Sequence, residues 1–271
     1  MSLERQKHSQ RQRCSAWVSS VYLSFLLVLC PAPGAAGDCI DASGLTSAVV
    51  SITRNFDSEE KEASKGILAI RGTAWFLSAT SIVTADHVAE AMKLSREAWK
   101  LIEISDGKKR QVVPIRILRV AGPRAEKIAV LELRAASPAA RTLEPRMQPL
   151  APEEQVVSLA YPGNRQRLAT GRFVEFGENG RFTGTALFEM YDGEDRLVLD
   201  HGASGAPVVD CAGRVVAVVT NLFVQTLPFP FRQIRMSTAW GQANVLAVPI
   251  HVLSSLAQAI EGLSAAIQQD R

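Results

Sequence analysis

The sequence predicts an all-β fold of two sets of about six strands each, closed by one C-terminal α-helix. Three observations carry this reading. Short runs rich in β-branched residues recur between turn residues, at the spacing of an all-β barrel or sandwich. A proline-bearing connection over residues 137–152 divides these runs into two sets. Near the end of the chain the apolar period changes from that of a strand to that of a helix. With 271 residues, 47% of them hydrophobic, the chain can bury a full core, and a single globular domain over residues 38–271 is the economical division.

Residues 1–37 read as a signal peptide. Arg5, Lys7, Arg11 and Arg13 precede an apolar run over residues 14–29 that ends in small residues, with cleavage expected near Ala36 or Gly37. The run is short and holds several serines, so an uncleaved membrane anchor is the less favoured alternative. Without the leader's four basic residues and one acidic residue, 26 of each sign remain. That balance gives no support for nucleic-acid binding or for a polybasic membrane-surface mode. Export also fits the cysteines. Cys14 and Cys30 lie in the leader, and the remaining Cys39 and Cys211 suit one disulfide in an oxidising, secreted or periplasmic location. No metal site is expected, because His87, His201 and His251 show no paired ligand spacing with these cysteines.

The first set of strands is expected at residues 48–53, 66–77, 81–84, 101–105, 112–120 and 128–133. The second falls at 155–160, 167–176, 185–191, 196–199, 206–210 and 214–221, with a last strand at 246–249. Leu253, Leu256, Ile260, Leu263 and Ile267 then recur at helical spacing. Two barrels of about six strands fit this division.

Two short segments carry the chemistry. In Thr84-Ala85-Asp86-His87-Val88, a histidine follows an apolar strand and opens a helical stretch, where its ring can be held facing a cleft as a general base requires. In Gly202-Ala203-Ser204-Gly205-Ala206-Pro207, glycines flank a serine. They permit a sharp turn that aims the amides of Gly202 and Ser204 at one point, the geometry of an oxyanion hole. Taken singly, either segment is ordinary: a lone histidine is usually structural, and a Gly-rich turn is often only a turn.

Together, in this order, the two segments resemble the trypsin-like (chymotrypsin-fold) serine peptidases, and within them the bacterial HtrA/Deg type. The resemblance extends to Gly72-Thr73-Ala74-Trp75-Phe76-Leu77, Ile128-Ala129-Val130-Leu131-Glu132-Leu133, Ala160-Tyr161-Pro162-Gly163-Asn164 and Ala247-Val248-Pro249-Ile250. It implies two six-stranded antiparallel β-barrels and a serine endopeptidase acting on protein or peptide substrates, with Ser204 as nucleophile and His87 as base. Gly202 and Ser204 would hold the oxyanion, and no cofactor would be needed. The chain ends after the helix, so the PDZ domains of many HtrA proteins are not expected.

The departures are informative. Ala203 replaces the aspartate that precedes the serine in the digestive enzymes, so activation through a new N-terminal ion pair has no partner. His201 is expected to line the cleft and Asp200 to sit at its rim. Leu197-Val198-Leu199 supplies no charge, which predicts an apolar side chain before the scissile bond. Most consequential, the resemblance places the triad aspartate immediately before residues 128–133, where this chain has Lys127, with Glu126 one residue earlier. A lysine ammonium donates only and cannot accept the histidine's proton. Glu126 is therefore the candidate acid, should the preceding loop shift by one residue. The alternative is a catalytically silent or weak relative that keeps the barrels as a binding module.

Overall fold

In the computed structural model the described residues are 39, 43–64, 66–122, 127–137, 140–177, 183–197, 199–222, 225–226, 233–234, 236–238 and 241–251. The expected leader, Glu126 and the closing helix at residues 253–267 lie outside them.

A short helix α1 (Ser43–Thr46) leads into β1 (Val49–Asn55), helix α2 (Ser58–Ala63), β2 (Ala69–Ser78), β3 (Ser81–Ala85), helix α3 (Asp86–Ala91), β4 (Lys100–Ser105), β5 (Arg110–Ala121) and β6 (Ile128–Leu133). After a connection come β7 (Gln155–Ala160), β8 (Arg167–Phe176), β9 (Ala186–Tyr191), β10 (Pro207–Asp210) and β11 (Val215–Leu222). Two small hairpins pair β12 (Gln225–Thr226) with β13 (Gln233–Ile234) and β14 (Met236–Thr238) with β15 (Gly241–Ala243), and β16 (Val245–Pro249) follows. The first six strands close into an antiparallel barrel in the order β1-β2-β3-β6-β5-β4, and the second barrel closes as β10-β11-β16-β9-β8-β7. The predicted all-β, two-barrel fold is therefore present.

Side-chain alternation explains how the barrels fill and meet. Successive residues of a strand point to opposite faces. Val50 and Ile52 of β1, Ile82 of β3 and Leu131 of β6 fill the first barrel. Their neighbours Val49, Val83 and Val130 join Val157, Leu159 and Val209 of the second barrel in a shared interface. Phe173, Phe188, Met190 and Val208 fill the second barrel. Strands buried on both faces read as continuous apolar runs, which is the pattern of Ile128-Ala129-Val130-Leu131.

One expected strand is absent. Arg196, Leu197 and Leu199 are not in a strand, and the sixth strand of the second barrel is β16. Asp192 accounts for the difference. Its side chain accepts from the Arg196 amide and its own amide donates to the Arg196 carbonyl, closing a turn around Asp195 at φ 57°. These bonds replace ladder bonds. Helix α2 was not among the expected elements, although Asp57 and Glu60 form a reciprocal capping box at its start.

The predicted Cys39–Cys211 disulfide is formed, with Cα atoms 4.6 Å apart and a sequence separation of 172. It ties the segment before β1 to the residue after β10.

Candidate active site

Strand β3 ends at Ala85 and helix α3 begins at once, placing His87 on its first turn. The strand is held from both sides. Ala85 pairs with Ile128 of β6, and the Asp86 amide donates to the Lys127 carbonyl at 3.0 Å. The residue before β6 therefore adjoins the start of the histidine's helix, as the resemblance requires, and that residue is an exposed lysine. His87 is exposed, whereas Asp86 is only 7% exposed. Val88 turns inward against β2: a Cβ on Gly72 would come within 2.6 Å of Val88 Cγ1, so glycine is needed for this contact.

The Ser204 turn is built by its own backbone and then docked onto β2 and β3. Ala203 donates to the Asp200 carbonyl at 2.8 Å, Ala206 to the Ala203 carbonyl at 2.9 Å, and Gly205 to the Val219 carbonyl at 2.7 Å. Gly202 and Gly205 adopt φ 99° and 94°, a region that favours glycine. A Cβ on Gly205 would lie 2.0 Å from the Thr73 carbonyl oxygen and 2.2 Å from Thr84 Oγ1. No larger residue could dock this closely.

Thr73 is the junction between the barrels. Its amide donates to the Ser204 carbonyl at 2.9 Å, and its hydroxyl donates to the Gly202 carbonyl at 2.7 Å. The same hydroxyl accepts from the Tyr161 amide at 3.0 Å, while Thr84 Oγ1 donates to the Thr73 carbonyl at 2.7 Å. Through these bonds the serine turn rests against the strand that delivers His87. Ser204 is partly exposed, and its hydroxyl donates to the Thr220 carbonyl at 3.3 Å. Among the described residues, the amides of Gly202 and Ser204 donate to no protein acceptor, unlike those of Ala203 and Gly205.

The charges around the histidine are unusual. Burial, and next the neighbouring Glu90, push the Asp86 carboxyl above its ordinary value of 3.8, while Lys127 and His87 pull it down. Sequence reasoning missed Asp86 as a charge beside the base. The signal was present, since an acid precedes His87 where a lysine occupies the place of an acid.

Beside the serine turn lies a cavity of about 670 Å³ bordered by Arg165, Arg167, Arg196, Leu197, Asp200 and His201. The Gly163 amide donates to the His201 carbonyl at 3.3 Å and ties its two walls together. Leu197, Asp200 and His201 border this cavity. Leu199 does not, because it is 3% exposed and packs in the second-barrel core. Val198 lies outside the described residues.

The model of the trypsin-like peptidase domain matches residues 72–218, more than half of the chain. An inactive-form mutant of Rv3671c from M. tuberculosis H37Rv is similar to the chain at 16% identity and TM-score 0.52, over 82% of this chain and 90% of that one. The active form of the M. tuberculosis Rv3671c protease is similar at 16% identity and TM-score 0.51, over 79% and 81%. At this identity the likeness concerns the fold. No curated protein matches the chain.

Proposed function

Because the chain belongs to the trypsin-like peptidase family, we propose that it is a serine endopeptidase that acts on proteins outside the cytoplasm through an acyl-enzyme on Ser204. The docking of the Ser204 turn, through Thr73, against the strand leading to His87 carries this reading. His87 takes the Ser204 hydroxyl proton as the oxygen attacks the peptide carbonyl. The carbonyl electrons move onto the oxygen, where the Gly202 and Ser204 amides stabilise the negative charge. Collapse of this intermediate breaks the C–N bond, and His87 passes the proton to the leaving amine. Water then releases the acyl group by the same steps. The domain assignment is a removed leader at residues 1–37 and a peptidase unit at 38–271, with the Cys39–Cys211 bond supporting an oxidising compartment.

Lys127 favours a second reading. Loss of the triad aspartate lowers turnover about 10⁴-fold in enzymes of this type, which leaves residual activity or a silent binding module. A serine-directed fluorophosphonate separates the two. Labelling that disappears in Ser204→Ala supports the peptidase, and no labelling of folded protein supports the binding module. Within the peptidase reading, Glu126→Gln abolishes most activity if Glu126 is the acid. Lys127→Asp raises activity by more than tenfold if no acid assists His87.

A further inference from the structure

We infer that Asp86 is a positioning residue for His87, a buried carboxylate that supplies beside the base the negative charge missing from position 127. The inference rests on the peptidase reading for its functional meaning, though not for its electrostatic content.

Ala85 pairs with Ile128, and the Asp86 amide donates to the Lys127 carbonyl at 3.0 Å, so positions 86 and 127 are neighbours across the β3–β6 ladder. Where the resemblance places a carboxylate, at 127, this chain has a cation; one ladder step away, at 86, it has a carboxylate. The local complement still contains one acid next to the histidine, carried by the first residue of α3. Burial makes this placement consequential. Asp86 is 7% exposed, while His87 and Lys127 reach solvent. A carboxylate withdrawn from water is poorly screened and acts strongly on adjacent charges.

The charged groups around Asp86 are Glu90 on its own helix, Lys127 at the start of β6 and His87 itself. Burial opposes the Asp86 charge most and Glu90 adds to it, so the carboxyl sits above its ordinary value, while Lys127 and His87 favour the charge. The relation is reciprocal. An anion at 86 favours the imidazolium that forms when His87 takes the serine proton, and Lys127 disfavours it. Asp86 takes no proton in this scheme, since the proton passes from Ser204 to His87 and on to the leaving amine. Asp86 lies between the two cations in effect: it offsets Lys127 and keeps the base able to charge.

The test reads the imidazole directly, so it does not depend on turnover. The His87 ring protons are followed by NMR as a function of pH, assigned by their loss in His87→Ala. Asp86→Asn is expected to lower the His87 midpoint by about 0.5–1 pH unit, and Lys127→Gln to raise it. Asp86→Ala removes the buried charge outright if the asparagine does not fold, and Asp86→Glu should restore the midpoint. In activity, the acid limb of kcat/KM moves with the same sign, and kcat falls about tenfold with KM nearly unchanged. An unmoved midpoint in folded Asp86→Asn or Asp86→Ala overturns the inference. A shifted midpoint without activity or probe labelling supports the charge coupling and overturns the peptidase reading instead.

Discussion

Thr73 shows how much a single hydroxyl can hold. It bridges the Gly202 carbonyl and the Tyr161 amide, one on the serine turn and the other on the first loop of the second barrel. Thr73→Val keeps the shape and removes both bonds. With the buried Tyr161 amide and the part-buried Gly202 carbonyl left unpaired, the expected loss is about 2–4 kcal/mol by urea denaturation. Labelling of Ser204 should slow as well, because the Gly202 backbone loses its anchor. An unchanged unfolding midpoint would show that the bridge is dispensable. Thr73 falls in the Gly72–Leu77 segment that carries the resemblance, but nothing in the sequence gives its hydroxyl a role. Cys39 and Cys211 were legible from their number, and His87 and Ser204 stand out in the sequence as candidates because each sits in a short local motif. Thr73 and Asp86 acquire their meaning only when distant segments meet.

At the scale of elements, β6 and β7 were legible because burial on both faces makes them mainly apolar, and both, like β8, fall at their expected residues. The misread segment begins where a turn over residues 192–196, fastened by one aspartate, ends, and a propensity argument does not see that turn. The hairpin of β10 and β11 shows the same device in a buried setting. Asp210, 2% exposed, accepts from the amides of Ala212 and Arg214 at 3.0 and 2.9 Å and from the Arg214 Nη2 at 2.7 Å. Arg146, from the connection between the barrels, adds a contact at 3.3 Å. Burial alone would raise this carboxyl, but the Arg214 amide and guanidinium prevail and hold it below 3.8. Since the folded value is depressed, the stabilisation is complete above the unfolded value and fades as the pH falls through the folded one. Asp210→Asn should therefore lose about 2–3 kcal/mol at neutral pH. Its difference from the wild type should shrink below about pH 4 in denaturation curves. A constant gap across that range would assign the effect to packing.

For the whole molecule, the barrel pair followed from strand count and the break at residues 137–152, while the way the barrels share an interface through alternate residues did not. The disulfide was legible by counting, and its energetic role is testable. Paired Cys39→Ser and Cys211→Ser substitution should lower stability by about 2–4 kcal/mol, the usual range for such a closure, measured by urea unfolding. Equal stability of the oxidised and substituted forms would show that the link constrains little in the unfolded chain. The bond links positions 172 apart in sequence, and both His87 and Ser204 lie within that span. A single cut by a neighbouring peptidase anywhere between the two cysteines therefore releases no fragment. Nicked molecules run as one species on a non-reducing gel and separate only with thiol, and damage in an exposed loop leaves the histidine half covalently tethered to the serine half.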